Sequence, residues 1–220
     1  MIRLEIDLNS FTSLQIMQDA PVIPVIVIHD LEHAIPLARA LVAGGIRMLE
    51  VTLRTPVALE AIKRIATEVP QAIVGAGTVC NQVDGELAIQ AGARFAVSPG
   101  YTPALGTYCQ QSGLALLPGV STASEIMMVM EGGYRELKFF PALQSGGVAM
   151  LKALSGPFGQ IKFCPTGGIT PQNAAEFLAL NNVVCVGGSW LAPNDLLVRG
   201  DFVRITELAR EAKSLNRGDL

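Results

Sequence analysis

At 220 residues, half of them hydrophobic, 16% charged and 22 of them glycine, the chain is long enough to bury one sizeable core and too apolar to be disordered. A net charge of -3, with only three Tyr and one Trp, excludes a basic stripe or an aromatic stacking platform, so the expected partner is a small molecule and not nucleic acid. The four cysteines (Cys80, Cys109, Cys164, Cys185) show no C-x-x-C spacing, no apolar run reaches the ~18 residues of a membrane helix, and Glu5 and Asp7 precede any apolar stretch; free thiols in the cytoplasm, with neither signal peptide nor membrane span, are expected.

In chain order, residues 10–20 (SFTSLQIMQDA) predict a short helix ahead of the first strand, 22–28 (VIPVIVI). Asp30 then caps a helix over 31–43, followed by a strand at 46–51 (IRMLEV), a helix over 57–69 and strands at 72–76 (AIVGA), 94–97 (RFAV) and 114–117 (LALL). A helix over 123–131, strands at 134–139 (YRELKF) and 161–164 (IKFC), a helix over 171–180, a strand at 182–186 (NVVCV) and a closing amphipathic helix over 200–214 complete the series. Eight strands alternating with helices, without linker or composition break, predict one α/β domain over residues 1–220, a (β/α)8 TIM barrel with an extra N-terminal helix. An open doubly wound sheet with the same strand count stays open at this point.

Barrel enzymes place their chemistry at the C-terminal ends of the strands. Of the five lysines, Lys63, Lys152 and Lys213 fall in helical segments, and Lys162 opens the seventh strand at its N-terminal end. Lys138 alone lies late in an apolar strand, among Leu137, Phe139 and Phe140, where desolvation disfavours the ammonium form and favours a nucleophilic amine. Taken alone it fits a snorkelling strand lysine equally well. In the second strand, period-two alternation puts Glu50, Thr52 and Arg54 on one face and Leu49, Val51 and Leu53 on the other, so a carboxylate and a guanidinium converge on the mouth that holds Lys138. A barrel-mouth ion pair is the competing reading of Glu50 and Arg54. Glu136 shares the parity of Lys138 and should point inward; the sequence offers no role for it.

The segments after the last two strands are glycine-rich. Thr166-Gly167-Gly168-Ile169-Thr170-Pro171 reads as a turn with Thr170 as N-cap and Pro171 as first helical residue, and Gly187-Gly188-Ser189-Trp190 follows the eighth strand. Exposed N–H groups there suit a phosphate. Other signals are weaker. His29 and His33 lack a third histidine, so no metal is expected; Gly75-Ala76-Gly77 lacks the third glycine of a dinucleotide fingerprint; Ser98-Pro99-Gly100 is no nucleophile elbow.

Seven segments in order, ALVAGGIRMLEVTLRT (40–55), VGAGTV (74–79), FAVSPG (95–100), LLPGVST (116–122), ELKFFPA (136–142), FCPTGGI (163–169) and VGGSWLAP (186–193), resemble the bacterial 2-keto-3-deoxy-6-phosphogluconate (KDPG) and 4-hydroxy-2-oxoglutarate (KHG) aldolases over nearly the whole chain. The resemblance implies a class I aldolase of the Entner-Doudoroff pathway, a cytoplasmic homotrimer of barrels without cofactor, acting on a 2-keto acid. It places the imine lysine at Lys138 and the acid-base glutamate at Glu50. It places carboxylate binding at Arg54 and Thr78, pocket contacts at Pro99 and Phe140, a substrate-side threonine at Thr166 and phosphate contacts at Gly167, Gly168 and Ser189. The chain departs from the pattern at Leu143, where similar sequences commonly carry an acid, and at His29-Asp30, where they often carry basic residues. A phosphate-binding barrel isomerase or epimerase is the alternative that would need no buried lysine.

Overall fold

Runs of branched aliphatic residues become strands apolar on both faces, and the amphipathic segments between them become covering helices, in a computed structural model that describes residues 11–215. The elements are α1 (Ser13–Gln18), β1 (Val22–Ile26), a 3-10 turn (Leu31–His33), α2 (Ala34–Ala43), β2 (Met48–Thr52), α3 (Ala58–Glu68), β3 (Ile73–Gly77), α4 (Gln82–Gln90), β4 (Phe95–Val97), α5 (Pro103–Ser112) and β5 (Ala115–Leu117). There follow β6 (Gly119–Val120), α6 (Ala123–Glu131), β7 (Glu136–Phe139), α7 (Gly147–Ser155), β8 (Lys162–Pro165), α8 (Ala174–Leu178), β9 (Val186–Gly188), α9 (Asn194–Arg199) and α10 (Phe202–Lys213). Residue 10, the first of the segment expected to form a leading helix, lies outside the described residues.

All pairings are parallel. One six-stranded sheet has the order β5-β4-β3-β2-β1-β9, and a three-stranded sheet has the order β6-β7-β8. Single bridges link Phe163 to Val183 and Thr166 to Gly187. The curved parallel sheet makes a half-barrel of TIM type, with the helices outside.

Local chemistry explains most boundaries. Thr102 caps α5 by accepting from the Leu105 amide, Pro103 opens the helix without an N–H to lose, and Gly113, at φ 71°, ends it in a left-handed turn. Thr122 and Glu125 form a reciprocal capping box on α6. Asp30 caps the 3-10 turn through the Glu32 amide, which leaves His29 outside it.

Three expectations shift. The fifth strand is split by Pro118, which has no N–H to donate, and resumes as β6. The eighth begins later: Val183 makes only a bridge, and the ladder with β1 runs Val22 to Val186, Ile23 to Gly187 and Pro24 to Gly188. Gly187 and Gly188 are therefore strand and not loop, and side chains there would collide with Thr166 and the Trp190 ring. Finally, the helix expected over 171–180 starts at Ala174, because the Asn173 side chain ties the preceding turn, accepting from the Thr170 amide and donating to the Gly168 carbonyl.

The buried apolar residues form two clusters. The larger lies between sheet and helices; the smaller gathers Ile23, Met48, Phe95, Val97, Leu117, Cys164 and Val184 on the inner face of the strands, with Ile16 and Met17 of α1 fully buried against them. Complete burial of each such side chain contributes about 1.5–3 kcal/mol, so α1 is held on the N-terminal ends of the strands chiefly by two residues. Its C-terminal end is tied by an ion pair of Arg47 with Asp19 and by Lys213 donating to the Asp19 carbonyl at 2.7 Å.

Candidate active site

β2 and β7 place two charged side chains above the apolar inner cluster. Lys138 is 6% exposed and Glu50 3%, and the Lys138 Nζ donates to Glu50 Oε1 at 3.3 Å. The same nitrogen stands 5.1 Å from the centre of the Phe140 ring. Two opposite charges out of water are tolerated because each is the other's partner, and removing either would strand the survivor. Glycines make the room. Gly77, paired with Thr52, lies so close to the Glu50 carboxylate that a side chain there would occupy its place, and Gly119, paired with Lys138, does the same for the Pro99 carbonyl. Pro99 itself is held by Ser98, buried, whose hydroxyl donates to the Gly100 carbonyl at 2.6 Å.

Thr78 follows Gly77 at the C-terminal end of β3 with φ 61°, a left-handed conformation that costs a β-branched residue about 1–3 kcal/mol. Its neighbours enforce it: the Val79 amide donates to the Val97 carbonyl at 3.1 Å and the Cys80 amide to Asp84 Oδ2 at 2.8 Å. The Cys80 thiol donates to the Thr78 carbonyl, and burial followed by the Asp84 charge pushes that thiol's pKa up.

Arg54, Phe140, Thr166, Gly167, Gly168 and Ser189 line one cavity of about 210 Å³ at the C-terminal ends of the strands. Thr166 is buried; its amide donates to the Phe139 carbonyl and its carbonyl accepts from Ala142, fixing it beside the Lys138 strand. Gly167 and Gly168 have φ 102° and 75°, and a side chain on Gly168 would come within 2.8 Å of Leu143. Both glycines are thus demanded by dihedral and by space. Sequence reasoning missed Val25 of β1 and Val27 just after it, which form part of the cavity wall; the alternating face of 23, 25 and 27 was the available signal. Thr52, grouped with Glu50 and Arg54, is fully buried and spends its hydroxyl on the Ile26 carbonyl at 2.9 Å.

Larger cavities of about 470 and 330 Å³ open at the opposite, N-terminal ends of the strands. The first holds Lys152 and Lys162, but Lys152 sits in the last turn of α7, where a cation complements the helix dipole, and the Lys162 Nζ donates to the Asn181 carbonyl. The second holds Glu136 beside Thr12 and Ser13, which answers the question its parity raised: it shares the Lys138 face but belongs to the far end of the strand. The first is lined by no carboxylate or histidine, and in the second the Cys109 thiol is fully buried, with burial pushing its pKa up to about 11, which keeps it a poor nucleophile beside Glu136. Among the described residues, no group of three or more His, Cys, Asp or Glu is arranged to hold a metal ion.

The family model for KDPG and KHG aldolase matches residues 14–208. A KHG/KDPG aldolase of Escherichia coli K12 is 56% identical over 197 residues, 90% of this chain and 92% of that protein. The structure of a KDPG aldolase from Legionella pneumophila, with pyruvate captured at low pH as a covalent carbinolamine intermediate, aligns with TM-score 0.91 and 49% identity over 93% of this chain and 99% of that one. That of the 2-keto-3-deoxy-6-phosphogluconate aldolase of Zymomonas mobilis ZM4 with 3-phosphoglycerate aligns with TM-score 0.88 and 49% identity, covering 93% and 96%.

Proposed function

This chain belongs to the KDPG and KHG aldolase family, and from that premise we propose that it cleaves 2-dehydro-3-deoxy-6-phosphogluconate to pyruvate and glyceraldehyde 3-phosphate through an imine on Lys138. The observation that carries the reading is the buried Lys138–Glu50 pair, 3.3 Å apart, beside the cavity into which Arg54 and the Gly167-Gly168 turn also open.

In the proposed cycle Glu50 takes the Lys138 proton, and the free amine attacks the C2 ketone to give a carbinolamine. Glu50 returns the proton to the departing hydroxyl, and water leaves an iminium. The Glu50 carboxylate then removes the C4 hydroxyl proton as the C3–C4 bond breaks; its electrons flow to the iminium nitrogen, releasing glyceraldehyde 3-phosphate and a pyruvate enamine. Protonation of the enamine carbon by Glu50 and hydrolysis of the imine free pyruvate and restore the amine. Arg54, with Thr78, holds the C1 carboxylate in a bidentate fork. Pro99, Phe140 and Thr166 pack around the pyruvate half. The backbone of Gly167 and Gly168, and Ser189 at the exposed rim, hold the phosphate. The cycle consumes no cofactor.

A second substrate, 4-hydroxy-2-oxoglutarate, cleaved to pyruvate and glyoxylate, is favoured by the double name of the E. coli relative and would need only the pyruvate half of the site. The broader setting belongs to the same proposal: a single domain over 1–220 that closes as an eight-stranded barrel, with α1 beneath it. Closure is supported by the Phe163–Val183 and Thr166–Gly187 bridges and by β6 carrying the fifth strand onto β7. A homotrimer is supported by apolar side chains left in water, such as Val198 and Val203, 70% and 73% exposed. A cytoplasmic location is supported by the four free thiols; no helix among the described residues is long and apolar enough to cross a membrane.

Borohydride reduction in the presence of pyruvate tests the reading. One pyruvyl-derived mass on the peptide containing Lys138 is expected, with none in Lys138→Ala, which should also lose turnover. Labelling at another lysine, or unchanged activity in Lys138→Ala, would point to the isomerase or epimerase alternative or to another nucleophile.

A further inference from the structure

Arg54 is an exposed side chain on the loop that leaves β2, yet the carboxylate role proposed for it demands a fixed approach to the cavity. What fixes it is visible on either side. Two residues before it, the Thr52 hydroxyl donates to the Ile26 carbonyl at 2.9 Å; one residue after it, the Thr55 hydroxyl donates to the Ile28 carbonyl at 2.6 Å. Between them the Leu53 amide donates to the Gly77 carbonyl at 2.8 Å, which ties the same stretch to β3 just before Thr78. The acceptors Ile26 and Ile28 flank Val27, and Val25 and Val27 line the cavity that Arg54 lines. Arg54 and the cavity wall are thus laid on one frame, the C-terminal end of β1 and the two residues that follow it. β2 ends at Thr52 and the Leu53 amide makes the last backbone bond to β3, so Thr55 supplies the tether beyond it.

The geometry points to Thr55 as a positioning residue for substrate recognition: its hydroxyl, clamped to the Ile28 carbonyl, sets the place from which Arg54 reaches the 2-keto acid carboxylate. Thr55 touches no reacting atom; it acts through Arg54, and the inference rests on the carboxylate role given to Arg54 above. Loss of the tether frees the loop to sample positions from which the bidentate fork does not close, so ordering it falls on the binding step. Lys138 stands on β7, and Glu50, although on β2, is held by its own ladders to Val25 of β1 and Gly75 of β3, so the chemical step is spared.

Thr55→Val keeps the side-chain volume and removes the donor. Steady-state kinetics should show KM for the 2-keto acid raised about 3- to 10-fold, the range expected for one lost hydrogen bond, with kcat changed by less than about twofold. Thr55→Ser should restore both constants, and Thr55→Ala repeats the measurement should the valine variant fail to fold. The decisive arm is the cycle with Arg54→Ala, in which Thr55→Val should add nothing further to KM. An unchanged KM in Thr55→Val, or an equal rise with and without Arg54, overturns the inference while leaving the carboxylate reading intact. If Arg54→Ala itself leaves KM unchanged, the carboxylate reading falls first and this inference with it.

Discussion

The two ends of the strands solve opposite problems with the same backbone. The apolar inner layer is filled by Met48, Phe95, Val97 and Leu117 and stopped at the N-terminal ends of the strands by Ile16 and Met17 of α1. Toward the C-terminal ends, β2, β7 and the residue that follows β8 carry Glu50, Lys138 and Thr166, all buried, with glycines where neighbours must come close. β2 passes from Met48 to Glu50 in one step of its period, and the chain from Cys164 in β8 to Thr166 just after it. The apolar end supplies the stability that the charged end spends, because a buried ion pair is weak evidence for stability and serves function. The first end should therefore govern unfolding and the second turnover, and each is open to separate attack.

The largest separation is expected at Glu50. Glu50→Gln keeps the shape and a weak partner for Lys138 but removes the proton shuttle, so kcat should fall by roughly 10²- to 10⁴-fold while some borohydride-trapped adduct persists. Thermal unfolding should change far less than turnover does. If Glu50→Gln retained near-full kcat, the charged end would be structural after all, and the contrast between the two ends would collapse.

Met17→Ala attacks the other end. Truncating a fully buried methionine removes transfer energy and leaves a cavity, with an expected cost of about 2–5 kcal/mol. For a chain of this size that lowers Tm by roughly 5–15 °C. Well below the new Tm, kcat and KM should stay within about twofold of the parent, since the distances at Lys138 and Glu50 do not depend on a side chain beneath the apolar layer. A large fall in kcat with an unshifted Tm would show that α1 belongs to the active site and not to the floor.

How much of this was legible depended on whether the signal was local. Lys138 could be found by its place along a strand, and the Glu50–Arg54 face by period two, because both are properties of a few consecutive residues. The same reasoning put Thr52 with them, although its hydroxyl is consumed by a carbonyl 26 residues away in sequence. Thr55 was invisible for the same reason, its acceptor lying 27 residues back. Gly187 and Gly188 carry a loop composition but pair with β1, since a ladder needs only backbone and the crowding by Thr166 and Trp190 selects glycine. The Thr170-Pro171 helix start lost to the Asn173 side chain, a competing hydrogen-bonding group that propensity cannot weigh. Parity placed Glu136 on the right face, but depth along the strand decided its end of the molecule.

The rim offers the smallest and most specific test of the contrast. Glu125 lies on α6, just past the C-terminal end of β6, and its carboxylate accepts from the Ser121 and Thr122 amides at 2.7 and 2.9 Å and from the Ser121 hydroxyl at 3.1 Å. Burial pushes its pKa up, but these donors together outweigh it and hold the carboxyl below the ordinary glutamate range. A lowered folded-state pKa means that the stabilisation is fully present above the ordinary glutamate value and is lost as pH falls through the lowered one. Glu125→Gln removes the titrating group, so the Tm difference between parent and variant should shrink on acidification through that window and stay level above it. Glu125 touches neither the Lys138–Glu50 pair nor the cavity lining, so KM and kcat at neutral pH should be unchanged. Parallel Tm curves across the acid range would remove Glu125 from the acid response, whereas a change in KM at neutral pH would extend the charged end of the molecule out to its rim.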